Sequence, residues 1–301
     1  MGLIKFFYRP PFVGLFALLL IFLLQALGHT HMVLLEEYFP GNSLYVAALV
    51  EGLLGAILVL IGAKIGTEVW GTWLGFLGGV NLWNGWTEFA FVYYATRYAV
   101  PALFEQGIKA TKPEYLIMPS SLGIVLSLGM YFLLNRETRC NAFRWLHRHA
   151  GLSTGEPTPG YKRNFSIITS TEYVSIGWFF YMVLLLLYDP KLLGTRHPVT
   201  YASFFVFLIW GLFLADRLLR YTRATAALRY AIPTAAIWWT LIELLGRWRL
   251  LKEIWLEPGK YKLEMALIGG AVLVFVVVSF ANARNRAKGG GSGRGEPMEV
   301  L

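Results

Sequence analysis

Eight apolar runs, each close to the roughly 20 residues that cross a hydrocarbon core, leave this chain little choice of fold. They lie at 11–28, 44–63, 69–96, 115–134, 168–188, 200–216, 230–247 and 264–283. In lipid every backbone N–H and C=O needs a partner inside the protein, and a run of this length satisfies its own groups as a helix. The expected fold is all-α: a polytopic integral membrane protein with about eight transmembrane helices. Composition agrees, since only 15% of the 301 residues are charged, against about a quarter in soluble domains. The net charge of +9 is scattered between apolar runs and not gathered in a patch. It points to orientation and anionic lipid heads, not to nucleic acid.

Alternate connections hold 16 and 10 Lys and Arg residues. The richer set includes both ends of the chain, so both termini are expected in the cytoplasm of a bacterial-type plasma (inner) membrane. The basic loop 135–165, with a short amphipathic helix expected in its first half, separates helices 1–4 (1–134) from helices 5–8 (166–288). The first apolar run follows basic residues, as in a signal peptide, but spans fully and is expected to stay as helix one. The segment 289–301, "GGGSGRGEPMEVL", reads as a linker and tag remnant. The lone cysteine, Cys140, makes no internal disulfide. The halves also suggest a parallel 4+4 pseudo-repeat: Glu88 follows Tyr45 by 43 residues and Glu243 follows Tyr201 by 42, each on the third helix of its half.

Ionisable side chains within spans cost a few kcal/mol on insertion scales and ask for a reason. Asp216 lies four residues before Arg220 and is expected to form a helix-end pair. Glu172 is expected in a first turn, where a carboxylate suits the helix dipole. Glu51, Glu88 and Glu243 are expected at one depth, in the outer half of the bilayer. Asn81, Asn84 and Glu88 follow an i, i+3, i+7 spacing that puts them on one helical stripe. Trp239 and Glu243 form a second stripe with Arg247. The expectation is a polar cavity between helices, with Glu88, Glu243, Asn84 and Asn81 as its catalytic set. Glu51, Trp83, Trp86, Tyr93, Tyr94, Arg97 and Trp239 are its expected substrate contacts.

No cofactor is required by this reading. "HTHMVLLEE" places His29 and His31 in a short outer segment where a metal ion is a weaker option, since an H-x-H pair does not align its rings. No H-E-x-x-H motif, eight-histidine desaturase set or Gly-rich phosphate loop is present.

The leading expectation is an intramembrane enzyme acting on a lipid or isoprenoid-like substrate by carboxylate acid/base chemistry. A proton- or ion-coupled transporter using the same carboxylates, and a non-catalytic membrane subunit, are the alternatives. "NGWTEFAFVYY" resembles the N-x-x-W-E-x-x-Y segment of fungal integral-membrane terpene cyclases. The spacing here is N-x-W-x-E, and one helix is covered. That resemblance implies Glu88 as the acid that protonates an epoxide or alkene. "GTRHPVTYASFFVFLIWG" resembles the RHPxY segment of membrane methyltransferases related to isoprenylcysteine methyltransferase. Its tyrosine falls one residue late, and the expected orientation puts Arg196–His197–Pro198 on the side away from cytosolic S-adenosylmethionine.

Overall fold

The computed structural model describes residues 9–105, 108–135, 137–138, 141–152 and 158–289. The expectations for the first eight residues, for Cys140 and for the tail beyond 289 lie outside the described residues. The chain is 79% helical. In order, the helices are α1 (Phe12–Tyr38), α2 (Asn42–Ile65) and α3 (Glu68–Leu82), which passes through a π turn (Trp83–Glu88) into α4 (Phe89–Arg97). Next come a small antiparallel hairpin of β1 (Leu103–Glu105) and β2 (Ile108–Thr111), then α5 (Pro113–Ile117), a 3₁₀ turn (Met118–Ser121) and α6 (Leu122–Leu134). The second half holds α7 (Asn141–His149), α8 (Phe165–Tyr188), α9 (Pro198–Leu219), α10 (Ala224–Arg247) and α11 (Lys262–Gly289).

Six of these segments are long and apolar enough to cross a membrane: Phe12–Tyr38, Asn42–Ile65, Pro113–Leu134, Phe165–Tyr188, Pro198–Leu219 and Lys262–Arg284. The chain is accordingly an integral membrane protein. The other two expected runs are helical as well, but differ in kind. The run at 69–96 is divided by the π turn, and α10 carries Arg229, Glu243 and Arg247. Each carries a buried glutamate, Glu88 and Glu243.

Several boundaries depart from expectation for local reasons. Helix α1 runs ten residues past the expected end at 28, because "HTHMVLLEEY" contains no breaker before Pro40–Gly41. His29 and His31 therefore sit on a helix and not in a loose outer segment. Helix α8 begins at Phe165, where the Asn164 side chain accepts from the Ile167 N–H at 3.2 Å. Glu172 thus lies two turns inside α8 rather than in its first turn. Pro233 is accommodated inside α10 without ending it. The expected pair forms at the end of α9, with Arg220 Nη2 2.6 Å from Asp216 Oδ2, and a short helix does form at Asn141–His149.

Packing sorts the helices into two layers. Helix α10 buries fifteen of its residues, among them Leu228, Ile237, Thr240 and Leu244, and packs on α1, α8 and α9. Helix α3 is held between α2 and α8 by close backbone approach. A Cβ on Gly75 would stand 2.3 Å from the Ser166 carbonyl oxygen, and one on Gly85 would stand 2.4 Å from Gly52 N. Small residues at helix contacts are how helices associate where no hydrophobic force acts between them. Helices α2, α9 and α11 present Leu53, Leu60, Ile209, Phe213, Leu273 and Val277 outward. On a soluble domain such a surface would aggregate, but here it is the lipid face.

Candidate functional site

Two polar centres occupy opposite ends of the inner helices. At the α3 N-terminus, Glu68 Oε1 accepts from Arg229 Nη2 at 2.9 Å and from Thr225 Oγ1 at 2.9 Å. Arg223 pairs with its second oxygen, and Arg229 Nη1 also donates to Thr72 Oγ1 at 2.6 Å. Every strong group in this cluster has an opposite or complementary neighbour.

The other centre surrounds a half-open cavity of about 70 Å³ lined by α1, α3 with its π turn, α8 and α10. Its polar lining comes from Gln25, His29, Asn84, Glu88 and Thr240. Trp83, Tyr173, Phe180, Tyr181 and Trp239 supply aromatic walls. Glu88 and Asn84 are buried, with 3% and 6% of their surface exposed. The Gln25 Oε1 atom is buried and has no hydrogen-bond partner among the described residues.

Local sequence explains the arrangement. Within "WNGWTE" the Phe89 N–H bonds to the Asn84 carbonyl, five residues back, so one extra residue is fitted into the turn. Such π turns recur at functional sites. Gly85 lets the turn press against α2 near Ala48 and Gly52. Trp86 lies outside, its indole N–H donating to the Leu49 carbonyl at 3.1 Å. Trp83, Asn84 and Glu88 are turned inward. The widened turn also separates Asn81 from the stripe expected for it. Asn81 faces α2 beside Gly55, and its amide donates to the Leu77 carbonyl at 2.7 Å.

From Glu88 a line of polar side chains crosses the bundle. The Tyr115 hydroxyl donates to Glu88 Oε1 over a long 3.5 Å, and the Tyr115 ring lies against that of Tyr181, the centroids 6.0 Å apart. The Tyr181 hydroxyl stands 3.1 Å from His29 Nε2, and the same nitrogen is 3.7 Å from Glu243 Oε1. Trp239 completes the far end. Its ring stacks on His29 at 5.5 Å and 17°, and its N–H donates to Glu243 Oε1 at 3.1 Å. Lys112 and Arg247 act on the two carboxylates through space. Arg247 itself lies over the Tyr188 ring, 4.8 Å from its centroid.

Toward the α10–α11 connection, burial pushes the Glu253 carboxyl above the ordinary carboxylate range, with the Arg247 guanidinium opposing. Beside the hairpin, Lys112 Nζ is 3.5 Å from Glu114 and 3.9 Å from Glu36.

The structure therefore brings Glu88, Asn84, Trp83 and Trp239 to one cavity and joins Glu243 to them through His29. It does not bring Asn81, Glu51, Trp86, Tyr93, Tyr94 or Arg97 to that lining. Glu51 is taken by His31, whose Nε2 is 3.1 Å from Glu51 Oε2. Tyr93 and Tyr94 form an outward ladder with Tyr45 and Tyr98, and Arg97 is exposed at the end of α4. The two histidines serve different carboxylates, and among the described residues no group of three His, Cys, Asp or Glu gathers as a metal site.

Sequence reading missed Tyr115, Tyr181 and Gln25. Tyrosine is common at membrane interfaces, so these carried no distinct signal; a glutamine at mid-depth in an apolar run was the one visible clue. The chain matches no protein-family model, no characterised protein and no solved structure.

Proposed function

We propose that the protein is an intramembrane enzyme that uses Glu88 as a general acid/base on the reacting end of a lipid or other apolar substrate. The observation that carries this reading is a buried carboxyl and amide, Glu88 and Asn84, facing a half-open cavity with aromatic walls. Asn84 and Gln25 would orient the substrate's polar atoms, and the unpartnered Gln25 oxygen suits a hydroxyl or amine donor. Glu243 would be the second carboxyl. The cavity's size narrows the substrate: about 70 Å³ is well below the roughly 300–1,000 Å³ of sites that enclose a whole ligand. It suits a terminal functional group whose tail lies among the helices or in lipid, and not a polyene folded whole for cyclisation.

The reading includes eight crossings, with α3–α4 and α10 spanning beside the six apolar helices, and both termini in the cytoplasm. The richer basic connections, among them Arg217, Arg220 and Arg223, support that orientation in a bacterial-type inner membrane. The like positions of Glu88 and Glu243 on the third helix of each half support a parallel 4+4 repeat. Membrane lipids are the expected partners.

The test is to incubate wild-type and Glu88→Gln protein, each in nanodiscs, with a total membrane lipid extract and compare products by mass spectrometry. At least one lipid species should be converted by the wild type and not by the variant. Identical lipid profiles would contradict the proposal. A second reading, a proton-coupled transporter, is favoured by the line of exchangeable groups from Glu88 to Glu243. Proton-gradient-dependent uptake into vesicles, lost in the same variant and without lipid conversion, would select it.

A further inference from the structure

The cavity is short of positive charge. Its lining holds one carboxyl, Glu88, with the amides of Gln25 and Asn84, the Thr240 hydroxyl and the His29 imidazole, but no lysine or arginine. Elsewhere carboxylates are given basic neighbours: Glu68 meets Arg223 and Arg229, Glu51 meets His31, and Glu114 meets Lys112. Among the described residues no basic side chain pairs with Glu88, which is met by the Tyr115 hydroxyl and the Trp83 indole. Two basic groups on this side of the bundle are matched by other acids. Lys112 stands beside Glu114 and Glu36, and His29 lies 3.7 Å from Glu243.

The lining is also rich in acceptors. Gln25 Oε1 is buried without a hydrogen-bond partner among the described residues. Glu88 adds carboxyl oxygens, and Asn84 can present its amide oxygen. A buried acceptor without a donor is costly, and a buried carboxylate without a counter-charge is costlier still. Trp83, Tyr181 and Trp239 are among the aromatic side chains of the wall, and the faces of such rings attract cations.

We infer that the group taken into this cavity is a primary ammonium, carried on the headgroup of an aminolipid or on a free alkylamine. The inference rests on the reading above for the place of the site at Glu88, and it names the polar end that the site accepts. A primary ammonium brings one positive charge and three N–H donors. The charge answers Glu88, and the donors answer Glu88, Gln25 and Asn84. Other end groups satisfy less of the lining. A hydroxyl has one donor and no charge. A quaternary ammonium has the charge but no N–H, and leaves the Gln25 oxygen unpaired. A phosphate or carboxylate adds negative charge where no lysine or arginine meets it. Size agrees, since about 70 Å³ admits a small end group and not a whole lipid.

The test uses the full chain in phosphatidylglycerol nanodiscs, with two arms. In the first, the nanodiscs carry equal small amounts of phosphatidylethanolamine and phosphatidylcholine with the same acyl chains. Native mass spectrometry weighs the lipids that stay on the protein. Phosphatidylethanolamine should be retained about tenfold over phosphatidylcholine. Glu88→Gln removes the charge and Gln25→Leu removes an acceptor at similar size; each should cut that preference about tenfold, the effect of one lost hydrogen bond. In the second arm, ethylammonium chloride is titrated against tryptophan fluorescence, with tetramethylammonium chloride as the control. Thermal melts establish which variants are folded, and one folded variant is enough. Retention in the first arm identifies a lipid amine; a saturable response to ethylammonium alone identifies a soluble one. Absence of both in the wild type would overturn the inference, as would a preference or response unchanged in the folded variants. Conversion of an amine-free lipid, lost in Glu88→Gln and with no amine bound in either arm, would sink the ammonium inference alone. Amine binding that depends on Glu88 with no lipid converted would sink the enzyme reading alone.

Discussion

The chain places a carboxylate at each end of the stretch formed by α3 and its π turn, and treats the two in opposite ways. Glu68 is met by the guanidiniums of Arg223 and Arg229 and by a threonine hydroxyl. Glu88, some five turns along, is met by a tyrosine hydroxyl, an indole and a cavity. Guanidinium never gives up its proton under ordinary conditions, so the first arrangement fixes charge and holds helices together. Hydroxyl and imidazole exchange protons, so the second leaves protonation free to change. On the proposed reading, the chemistry of the neighbours, and not depth in the membrane, separates a structural carboxylate from a functional one.

The largest expected effect on stability falls at the Glu68 end. Glu68→Gln leaves the largely buried Arg229 side chain without its counter-charge and should cost roughly 2–3 kcal/mol. Glu88→Gln keeps size and hydrogen-bonding capacity and should cost under about 1 kcal/mol. Thermal melts of the two variants in one detergent check this, and the reverse ranking would break the comparison. Next, Tyr181→Phe removes the hydroxyl beside His29 and should lower lipid conversion about tenfold, the worth of one hydrogen bond of about 1.4 kcal/mol, with little change in the melt. Arg229→Lys sharpens the structural side. It keeps the charge but cannot span Thr72 and Glu68 at once, and should cost about 1 kcal/mol with conversion per folded molecule unchanged. The smallest effect is expected at the pair of His31, about half exposed, with Glu51. Either His31→Gln or Glu51→Gln should shift stability by less than about 1 kcal/mol and leave conversion intact; a loss of conversion would place a third carboxyl in the site.

Much of the fold was legible because bilayer thickness sets helix length. The six apolar spans follow from run length alone, and the Asp216–Arg220 pair from its spacing. What was not legible depended on neighbours distant in sequence. The stripe Asn81–Asn84–Glu88 assumed uniform helical geometry, and the π turn at "WNGWTE" moved Asn81 out of it. Glu51 looked equivalent to Glu88 and Glu243 in depth, but only the packing of α1 on α2 shows that His31 claims it. Tyr115 reaches Glu88 and Tyr181 reaches His29, yet no local pattern separates them from the other tyrosines. His29 illustrates the reverse: its neighbour His31 made it look like part of a metal pair, whereas helix geometry sends the two rings to different partners.

The central claim is that Glu88 does chemistry while Glu68 holds structure. The most direct test is lipid conversion per folded molecule by Glu88→Gln and Glu68→Gln side by side, each normalised to its folded fraction. The account predicts at least a hundredfold loss in the first, within the range expected for removing a general acid, and a rate close to wild type in the second. Equal losses in both, or a loss confined to Glu68→Gln, would contradict it.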